Sequence, residues 1–302
     1  MNLGTRGSRL ARWQAEWVQG RLAARGVEAL LVVIKTRGDA EVDRPLHQLE
    51  GKGFFTKEIE DALLEGRIDV AVHSLKDLPT RLPDGLTLGA VPARHDPRDA
   101  LVATGGAVAS LLQLAPRARV GTSSLRRLTQ LRYLRPDLEL VPLRGNVPTR
   151  VRKVEEGDGL DAALLALAGL ERLALGERAT PIDPLEVMPA PGQGALGLEI
   201  RTGDKQTSEV LRALEDPASA QAVAAERTVL AALGGGCQAP VAAWVGSRER
   251  GAGSRLFGRV TAADGAVQLT ASADLDPDRP EAAGEAVARL LEAEGAVSLL
   301  AR

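Results

Sequence analysis

Two hydrophobic periodicities alternate along the first two thirds of the chain. Residues 8–26 repeat with a helical period that ends at Gly26, and residues 30–36 form a β-branched apolar run typical of a buried strand. The same pair returns as an amphipathic stretch over 55–68 and an apolar run over 69–75. Strands separated by helices of this length predict α/β units with a parallel sheet and crossover helices.

A second α/β block follows a stretch rich in proline and charge at 91–99. Its predicted strands and helices lie between 117 and 173, and a Pro/Gly segment at 188–194 precedes a further strand over 195–200. Two such linkers around one block predict a domain inserted into another. The expected result is two lobes with a cleft between them, a common place for ligands.

The last third has a different pattern. Residues 219–233 predict a helix, three alternating stretches predict strands with a hairpin turn at Asp264–Gly265, and 279–295 predict a closing helix. The expected fold class is therefore α/β with two lobes, plus a small C-terminal α+β domain. The predicted domains are residues 1–92 with 195–212 (domain 1), 98–188 (domain 2) and 217–302 (domain 3).

The composition is that of an ordinary globular protein. The 302 residues include 38 Lys and Arg against 40 Asp and Glu, and only 2% are aromatic, so aliphatic side chains must fill the cores. One cysteine, Cys237, excludes an intrachain disulfide, and the three histidines form no metal-ligand cluster with it. No secretory signal or membrane-spanning run stands out, so a cytoplasmic protein is expected.

Positive charge is concentrated in one segment. From Arg117 to Lys153 there are ten basic and two acidic residues, an excess of eight in a chain whose net charge is −2. Any single arginine there is most often solvated, but repulsion among so many favours a polyanionic partner. A nucleic acid fits, although only Tyr133 could stack on bases. A small molecule with several carboxylates or phosphates fits as well.

Two turns in this segment lie where a strand ends and a helix begins. In GTSSLRR, Ser123 or Ser124 is expected to be the N-cap. Arg126 and Arg127 then fall in the first helical turn, where a cation opposes the helix dipole by about 0.3–1 kcal/mol. Residues 143–150 repeat this form. A bound anion would reverse the penalty, and such strand ends bind ligands in open α/β sheets.

Three other residues carry possible chemistry. Asp77 beside Lys76, after a predicted strand, indicates either a proton shuttle or a surface ion pair, and the residues alone favour the ion pair. His73 lies on the strand itself and is expected to be a core or supporting residue. Cys237 follows three glycines, so either an inert buried thiol or a reactive, derivatised one is expected.

Seven segments, taken together and in order, resemble one family, the porphobilinogen deaminases or hydroxymethylbilane synthases. These segments are TRGS (5–8), GKGFFTKE (51–58), VHSLKD (72–77), GTSSLRR (121–127), LRGNVPTR (143–150), PGQGA (191–195) and GGGCQAP (234–240). The resemblance covers essentially the whole chain. It implies three domains, the first two similar to the lobes of periplasmic binding proteins, and a monomer with no nucleic-acid or membrane partner.

The resemblance also implies an activity. The family is a transferase that joins four porphobilinogen molecules head to tail into hydroxymethylbilane, releasing ammonia, in tetrapyrrole and haem biosynthesis. The implied cofactor is dipyrromethane, attached by a thioether to Cys237. Asp77 matches the catalytic carboxylate, with Lys76 beside it.

Positions that match the family imply which residues bind the acetate and propionate groups of each pyrrole. Guanidinium groups are suited to this because they can bind a carboxylate through two hydrogen bonds. The implied cofactor-binding residues are Cys237, Ser8, Lys76, Thr122, Ser124, Arg126, Arg127 and Arg144. The implied substrate-binding residues are Arg6, Lys52, Arg144, Arg150, Arg172 and Gln193. Gln48 stands where the family often has lysine, so no role is assigned to it. No metal is implied.

Two other classes of protein stay open. One is a non-enzymatic anion-binding protein with the same two lobes, which the missing signal peptide and the additional cysteine-bearing domain disfavour. The other is a nucleic-acid-binding protein that uses the basic segment, and it predicts binding with a steep salt dependence.

Overall fold

The computed structural model describes residues 1–36, 56–106, 108, 110–234, 239–247 and 253–300. The chain separates into two compact units. The first unit is Met1–His95 with Gly194–Ala220, and the second is Asp96–Gln193 with Gln221–Arg302. No helix among the described residues is long and apolar enough to span a bilayer.

The strands form three sheets. In chain order they are β1 Asn2–Arg6, β2 Leu30–Ile34, β3 Val70–Ser74, β4 Leu86–Ala90, β5 Asp99–Ala103, β6 Arg119–Gly121, β7 Glu139–Val141, β8 Ala162–Ala166, β9 Thr180–Pro181, β10 Leu196–Arg201, β11 Val241–Ser247, β12 Ser254–Thr261 and β13 Gln268–Asp274. The sheet orders are β2-β1-β3-β10-β4, β7-β6-β8-β5-β9 and β11-β12-β13.

Helices flank these sheets. They are α1 Arg9–Ala23, α2 Lys57–Leu64, α3 Leu125–Leu134, α4 Val147–Glu155, α5 Leu167–Arg172, α6 Lys205–Arg212, α7 Pro217–Ala232, α8 Pro280–Ala293 and α9 Ala296–Leu300. The helix predicted over 8–26 corresponds to α1, and the one predicted over 55–68 is the shorter α2. Each predicted element within the described residues is present, with ends that differ by a few residues.

The prediction of a parallel sheet is only partly right. β1 lies parallel to β2 and β3, and β6 lies parallel to β7 and β8. However, β10 runs antiparallel to β3 and β4, and β5 runs antiparallel to β8. β5 and β10 each follow a point where the chain passes from one unit to the other. Each of them runs opposite to the neighbouring strands of the sheet that it joins. The sheets are therefore mixed, and the parallel strands bring their carboxyl ends to one edge.

Burial on both faces explains the continuous apolar runs. Along β5, Leu101 packs in one core cluster with Val120, while Val102 on the other face packs with Val151 of α4. The first unit is built in the same way, because Val72 of β3 and its neighbour Ala71 lie in two different clusters. Sheets covered by helices on both faces give strands without polar alternation.

The C-terminal sheet belongs to a smaller layer in the second unit. Val229 of α7 and Val287 of α8 pack against Leu256 of β12 in one apolar cluster. The hairpin predicted at Asp264–Gly265 joins β12 to β13, and Gly265 has the positive φ of 76° that the turn requires. Two sheet-and-helix lobes with a small C-terminal sheet domain confirm the predicted fold class. The three domain boundaries stay a prediction.

Candidate active site

A pocket lies at the carboxyl edge of the sheet in the first unit. Because β1 and β3 are parallel neighbours, their carboxyl ends meet there. Arg6 ends β1, and the exposed Asp77 ends a single 3₁₀ turn that directly follows β3. The half-buried Lys76 lies in the same turn. The side chains lining the pocket include Arg6, Ser8, Gln14, His73 and Asp77.

The start of α1 holds this edge together. Ser8 is the N-cap of α1, and its hydroxyl oxygen accepts the Ala11 N–H at 3.2 Å. Gln14, one turn further along, donates its side-chain amide to the Ser74 hydroxyl at 2.7 Å, which ties α1 to the end of β3. Ser8, which the resemblance assigns to the cofactor, therefore caps a helix and also lines the pocket.

A buried acid–base pair borders the pocket. His73 Nε2 lies 3.0 Å from Glu199 Oε2, and both side chains are almost fully buried. This confirms the prediction that His73 is a core or supporting residue. Glu60 of α2 is also buried; burial raises its pKa, and the charge of Glu199 raises it further. The sequence analysis missed both glutamates, although an acid inside the apolar run ALGLEI was a usable signal.

The two basic turns predicted in the second unit contact each other. β6 and β7 are parallel neighbours. The Ser123 hydroxyl donates to the Leu143 carbonyl at 2.9 Å and accepts the Leu143 N–H at 3.1 Å. Of the two predicted N-caps, Ser124 is the one at the start of α3, but its side chain makes no capping hydrogen bond. Instead, its backbone N–H donates to the Thr122 hydroxyl at 3.3 Å.

Arg126 and Arg127 face inward and share one carboxylate. Arg126 Nη1 lies 2.8 Å from Asp99 Oδ2, and Arg127 Nη2 lies 2.8 Å from Asp99 Oδ1. Each guanidinium also donates to a backbone carbonyl, of Met188 and Leu164 respectively. The sequence analysis expected a bound anion to offset the unfavourable placement of these cations, and Asp99 of β5 already supplies one carboxylate to both.

The pair nevertheless retains capacity for a ligand. Burial alone raises the pKa of a carboxyl, but the two guanidinium groups hold the pKa of Asp99 well below its usual range. One negative charge therefore faces two positive charges. Within the described part of the chain, the Nε–H groups of Arg126 and Arg127 are buried and have no hydrogen-bond partner. Buried donors of this kind suit a ligand carboxylate.

The remaining predicted arginines follow the neighbouring strands. Arg150, in the first turn of α4, donates from Nε to the Gly145 carbonyl at 2.7 Å, and Arg144 lies half-buried one residue before that glycine. Helix α5 directly follows β8, and Arg172 is its last residue. Burial lowers the pKa of Arg172 to about 10. Because β7, β6 and β8 are adjacent and parallel, the sheet gathers the arginines that follow them at one edge.

Gln193 contacts the protein rather than facing outward. It is fully buried, and its amide nitrogen donates to the Pro97 carbonyl and to Asp99 Oδ1, each at 2.7 Å. The preceding residue, Gly192, donates its N–H at 2.8 Å to Glu226, a buried carboxylate on α7. Direct substrate binding by Gln193 stays a prediction, and the sequence analysis missed both Asp99 and Glu226.

Other predicted positions fall outside the described residues. These are Cys237, Lys52 and the position without an assigned role, Gln48.

Comparison with known proteins decides the family. Residues 1–209 match the family model described as porphobilinogen deaminase, dipyromethane cofactor binding domain, and residues 220–293 match the model of the porphobilinogen deaminase C-terminal domain. The chain belongs to the porphobilinogen deaminase family. The match to a dipyromethane cofactor binding domain confirms the predicted cofactor, dipyrromethane.

Several full-length relatives share the family name. Porphobilinogen deaminase of Moorella thermoacetica is 50% identical over 99% of this chain and 95% of its own length. That of Syntrophotalea carbinolica is 49% identical over 100% of this chain and 95% of its own length. Among solved structures, the second substrate binding domain of a putative amino acid ABC transporter from Streptococcus pneumoniae is similar, with TM-score 0.46 and 13% identity over 70% of this chain and 90% of that domain.

Proposed function

We propose that the chain is a transferase that joins four porphobilinogen molecules head to tail into hydroxymethylbilane and releases ammonia at each addition. The observation that carries this proposal is membership of the porphobilinogen deaminase family along nearly the whole chain. The pocket shared by Asp77 and Arg6 gives the proposal a site with an acid and a cation.

The described residues fit a carboxylate-bearing cofactor. The buried Nε–H groups of Arg126 and Arg127 are donors that dipyrromethane, built from two porphobilinogen units, would satisfy with its carboxylates. When bound, this group supplies the pyrrole carbon to which the first substrate is joined. We infer that it is held by a thioether to Cys237, because the segment GGGCQAP (234–240) matches the family's attachment segment. The other residues that would hold it are Ser8, Lys76, Thr122, Ser124, Arg126, Arg127 and Arg144.

Asp77 is the proposed catalytic carboxylate. When the aminomethyl group of a substrate loses ammonia, positive charge spreads onto the pyrrole nitrogen. A fixed carboxylate stabilises that charge, and it accepts the proton that leaves the ring carbon after the new bond forms. The 3₁₀ turn fixes Asp77 beside Lys76 at the edge of β3. Asn at this position would keep the shape of the side chain and lose both functions.

The proposed substrate-binding residues are mainly cations. Each porphobilinogen carries two carboxylates, and a guanidinium can bind a carboxylate through two parallel hydrogen bonds. Arg6 would act in the first unit, and Arg144, Arg150 and Arg172 would act at the basic sheet edge of the second. Lys52 and Gln193 complete the set carried over from the family.

The first test is the intact mass of the purified chain, followed by peptide mapping. An excess equal to two porphobilinogens less two ammonias, located on Cys237, is the expected result. If the thiol is unmodified, incubation with porphobilinogen should add this mass. A chain that gains no mass from porphobilinogen and releases no ammonia would disprove the proposal.

A substitution at Asp77 tests the catalytic assignment. Asp77→Asn should slow ammonia release by about 10²–10⁴-fold, the usual contribution of a positioned acid or base. The melting temperature should stay unchanged because Asp77 is exposed. Asp84→Asn, at another exposed aspartate of the same unit, is the control and should retain wild-type activity. Equal rates for the two variants would remove Asp77 from the catalytic role.

We also propose that the protein acts as a cytoplasmic monomer without a nucleic-acid partner. Part of the basic segment is engaged internally, since Arg135 bonds Asp137 at 2.6 Å and Arg119 bonds Glu139 at 3.3 Å. Light scattering should give the mass of one chain, and cell fractionation should place it in the cytoplasm. DNA binding that weakens steeply with salt would instead favour the nucleic-acid class.

A further inference from the structure

Asp99 has an unusual position among the acids of the second unit. Its side chain is fully buried, and each of its oxygens faces a different arginine at 2.8 Å. Gln193 adds a third bond, to Oδ1, at 2.7 Å. Removing one partner of a buried ionic group is strongly destabilising because it leaves an uncompensated charge. The balance of charge around Asp99 therefore matters.

Among the residues that the structure describes, the charges in this cluster do not balance. Arginine remains protonated at neutral pH, and Asp99 is ionised because two guanidinium groups stabilise its carboxylate. Arg126, Arg127 and Asp99 together therefore carry one net positive charge. Both arginines are only 5% exposed, and their Nε–H groups have no partner in the described part of the chain. One further negative charge would therefore neutralise the three side chains.

We propose that Asp99 is a positioning residue for ligand binding: it fixes the directions of Arg126 and Arg127 and cancels one of their charges, so that the pair accepts a single carboxylate. The identity of that carboxylate, one group of the cofactor, rests on the proposed function. The charge-setting role of Asp99 does not depend on it.

Gln193 and Glu226 hold the turn that keeps Asp99 in place. Gln193 donates to Asp99 and to the Pro97 carbonyl, and so links the turn to the segment just before β5. Glu226 fixes the turn from the other side through the Gly192 N–H, at 2.8 Å. Glu226 is therefore linked to the arginine pair through the Gly192–Gln193 backbone and the hydrogen bond from Gln193 to Asp99. Gln193 acts on the ligand through Asp99 in this interpretation.

Sulfate, a divalent anion, tests the charge-setting role without any substrate. The full chain with Cys237→Ala, which cannot form the thioether, is melted in sodium sulfate and in sodium chloride at equal ionic strength. Asp99→Asn raises the net charge of the pair to two, so sulfate should raise its melting temperature more than that of the Cys237→Ala parent. Asp137→Asn, which removes an exposed partner of Arg135, is the matched control and should behave like the parent.

A double variant covers the case in which Asp99→Asn alone does not fold. Adding Arg127→Gln returns the net charge to one, so the double variant should melt above Asp99→Asn and lose the additional response to sulfate. If Asp99 served only as a structural hydrogen-bond acceptor, the two losses would add. Additive losses, or a sulfate response of Asp99→Asn equal to that of the parent, would overturn the proposal.

Loading of the thiol tests the positioning role. With Cys237 intact, Asp99→Asn should gain the porphobilinogen-derived mass at least about thirtyfold more slowly than the wild type, the scale expected for loss of one partner of a buried charge pair. An unchanged loading rate contradicts positioning by Asp99. If the wild type itself gains no mass, the proposed function fails, and the sulfate measurement still decides the role of Asp99.

Discussion

Glu226 connects α7 to the turn before β10, and its removal should loosen that turn. The carboxylate is fully buried on α7. Oε2 accepts the Gly192 N–H at 2.8 Å, and Oε1 accepts the Val245 N–H of β11 at 2.9 Å. Glu226→Gln keeps one oxygen that accepts one of these N–H groups. It places its NH₂ group, which is a donor, against the other N–H. Glu226→Ala leaves both backbone donors buried without a partner.

The expected magnitude follows from these two bonds. A buried donor without a partner costs about 1–3 kcal/mol, so Glu226→Gln should lose about that amount and Glu226→Ala about twice as much. A loss of about 1–3 kcal/mol corresponds to local opening that is about 5–150 times more frequent. Because the Gly192 turn also carries Gln193, which donates to Asp99, cofactor loading should slow as well.

Hydrogen exchange measured by mass spectrometry is the suitable assay, because it reads individual peptides. Peptides that contain Gly192 and Val245 should exchange faster in Glu226→Gln and faster still in Glu226→Ala. Glu209→Gln, on the exposed face of α6, is the control because its pairing with Arg212 is solvent-exposed. If both peptides of Glu226→Ala exchanged as slowly as in the wild type, the assigned hydrogen bonds would not hold the turn.

Three further predictions concern stability. Gly284→Ala in α8 should destabilise the fold by about 1–3 kcal/mol, since the new methyl group would lie 2.6 Å from the Ala225 carbonyl oxygen. Gly20→Ala in α1 meets no atom within 4 Å and should stabilise by about 0.5–1 kcal/mol; urea unfolding of both variants checks the pair. Burial raises the pKa of Glu60 above 4.5, so its contribution to stability is full below that value and is lost as the pH rises through the folded pKa. Glu60→Gln should therefore gain stability relative to the wild type at about pH 8 but not at about pH 4, and equal differences at both pH values would contradict this.

The regular elements were accessible to sequence analysis because each has a strong local signal. The apolar run over 69–75 becomes β3, and the Asp264–Gly265 pair becomes a hairpin turn because glycine adopts the positive φ needed there. Strand direction has no such signal. A buried run reads the same in both directions, so the antiparallel entry of β10 next to β3 was not predictable from its residues.

The residues of the site also differ in whether the sequence identified them. The basic turns follow predicted strands, so local pattern and resemblance both identify them, whereas Arg6 and the catalytic role of Asp77 were identified by the resemblance alone. Asp99 and Glu226 gave no such signal. Asp99 lies at the end of a charged linker-like stretch, and Glu226 lies within a helix of small apolar residues. Their importance comes from partners 27 and 34 residues away, at positions that only the folded chain defines.

The net charge of the basic segment indicates an anionic partner but overstates the charge available to bind it. The excess of eight positive charges between 117 and 153 favoured a polyanionic partner. In the fold, an acid outside this segment, Asp99, binds two of the arginines, and Asp137 binds a third. What favours an anionic ligand is therefore the local deficit around Asp99, where two buried guanidinium groups share one carboxylate. Net charge along the sequence indicates where to search, whereas the number of negative charges that a site accepts depends on buried acids that come from elsewhere in the chain.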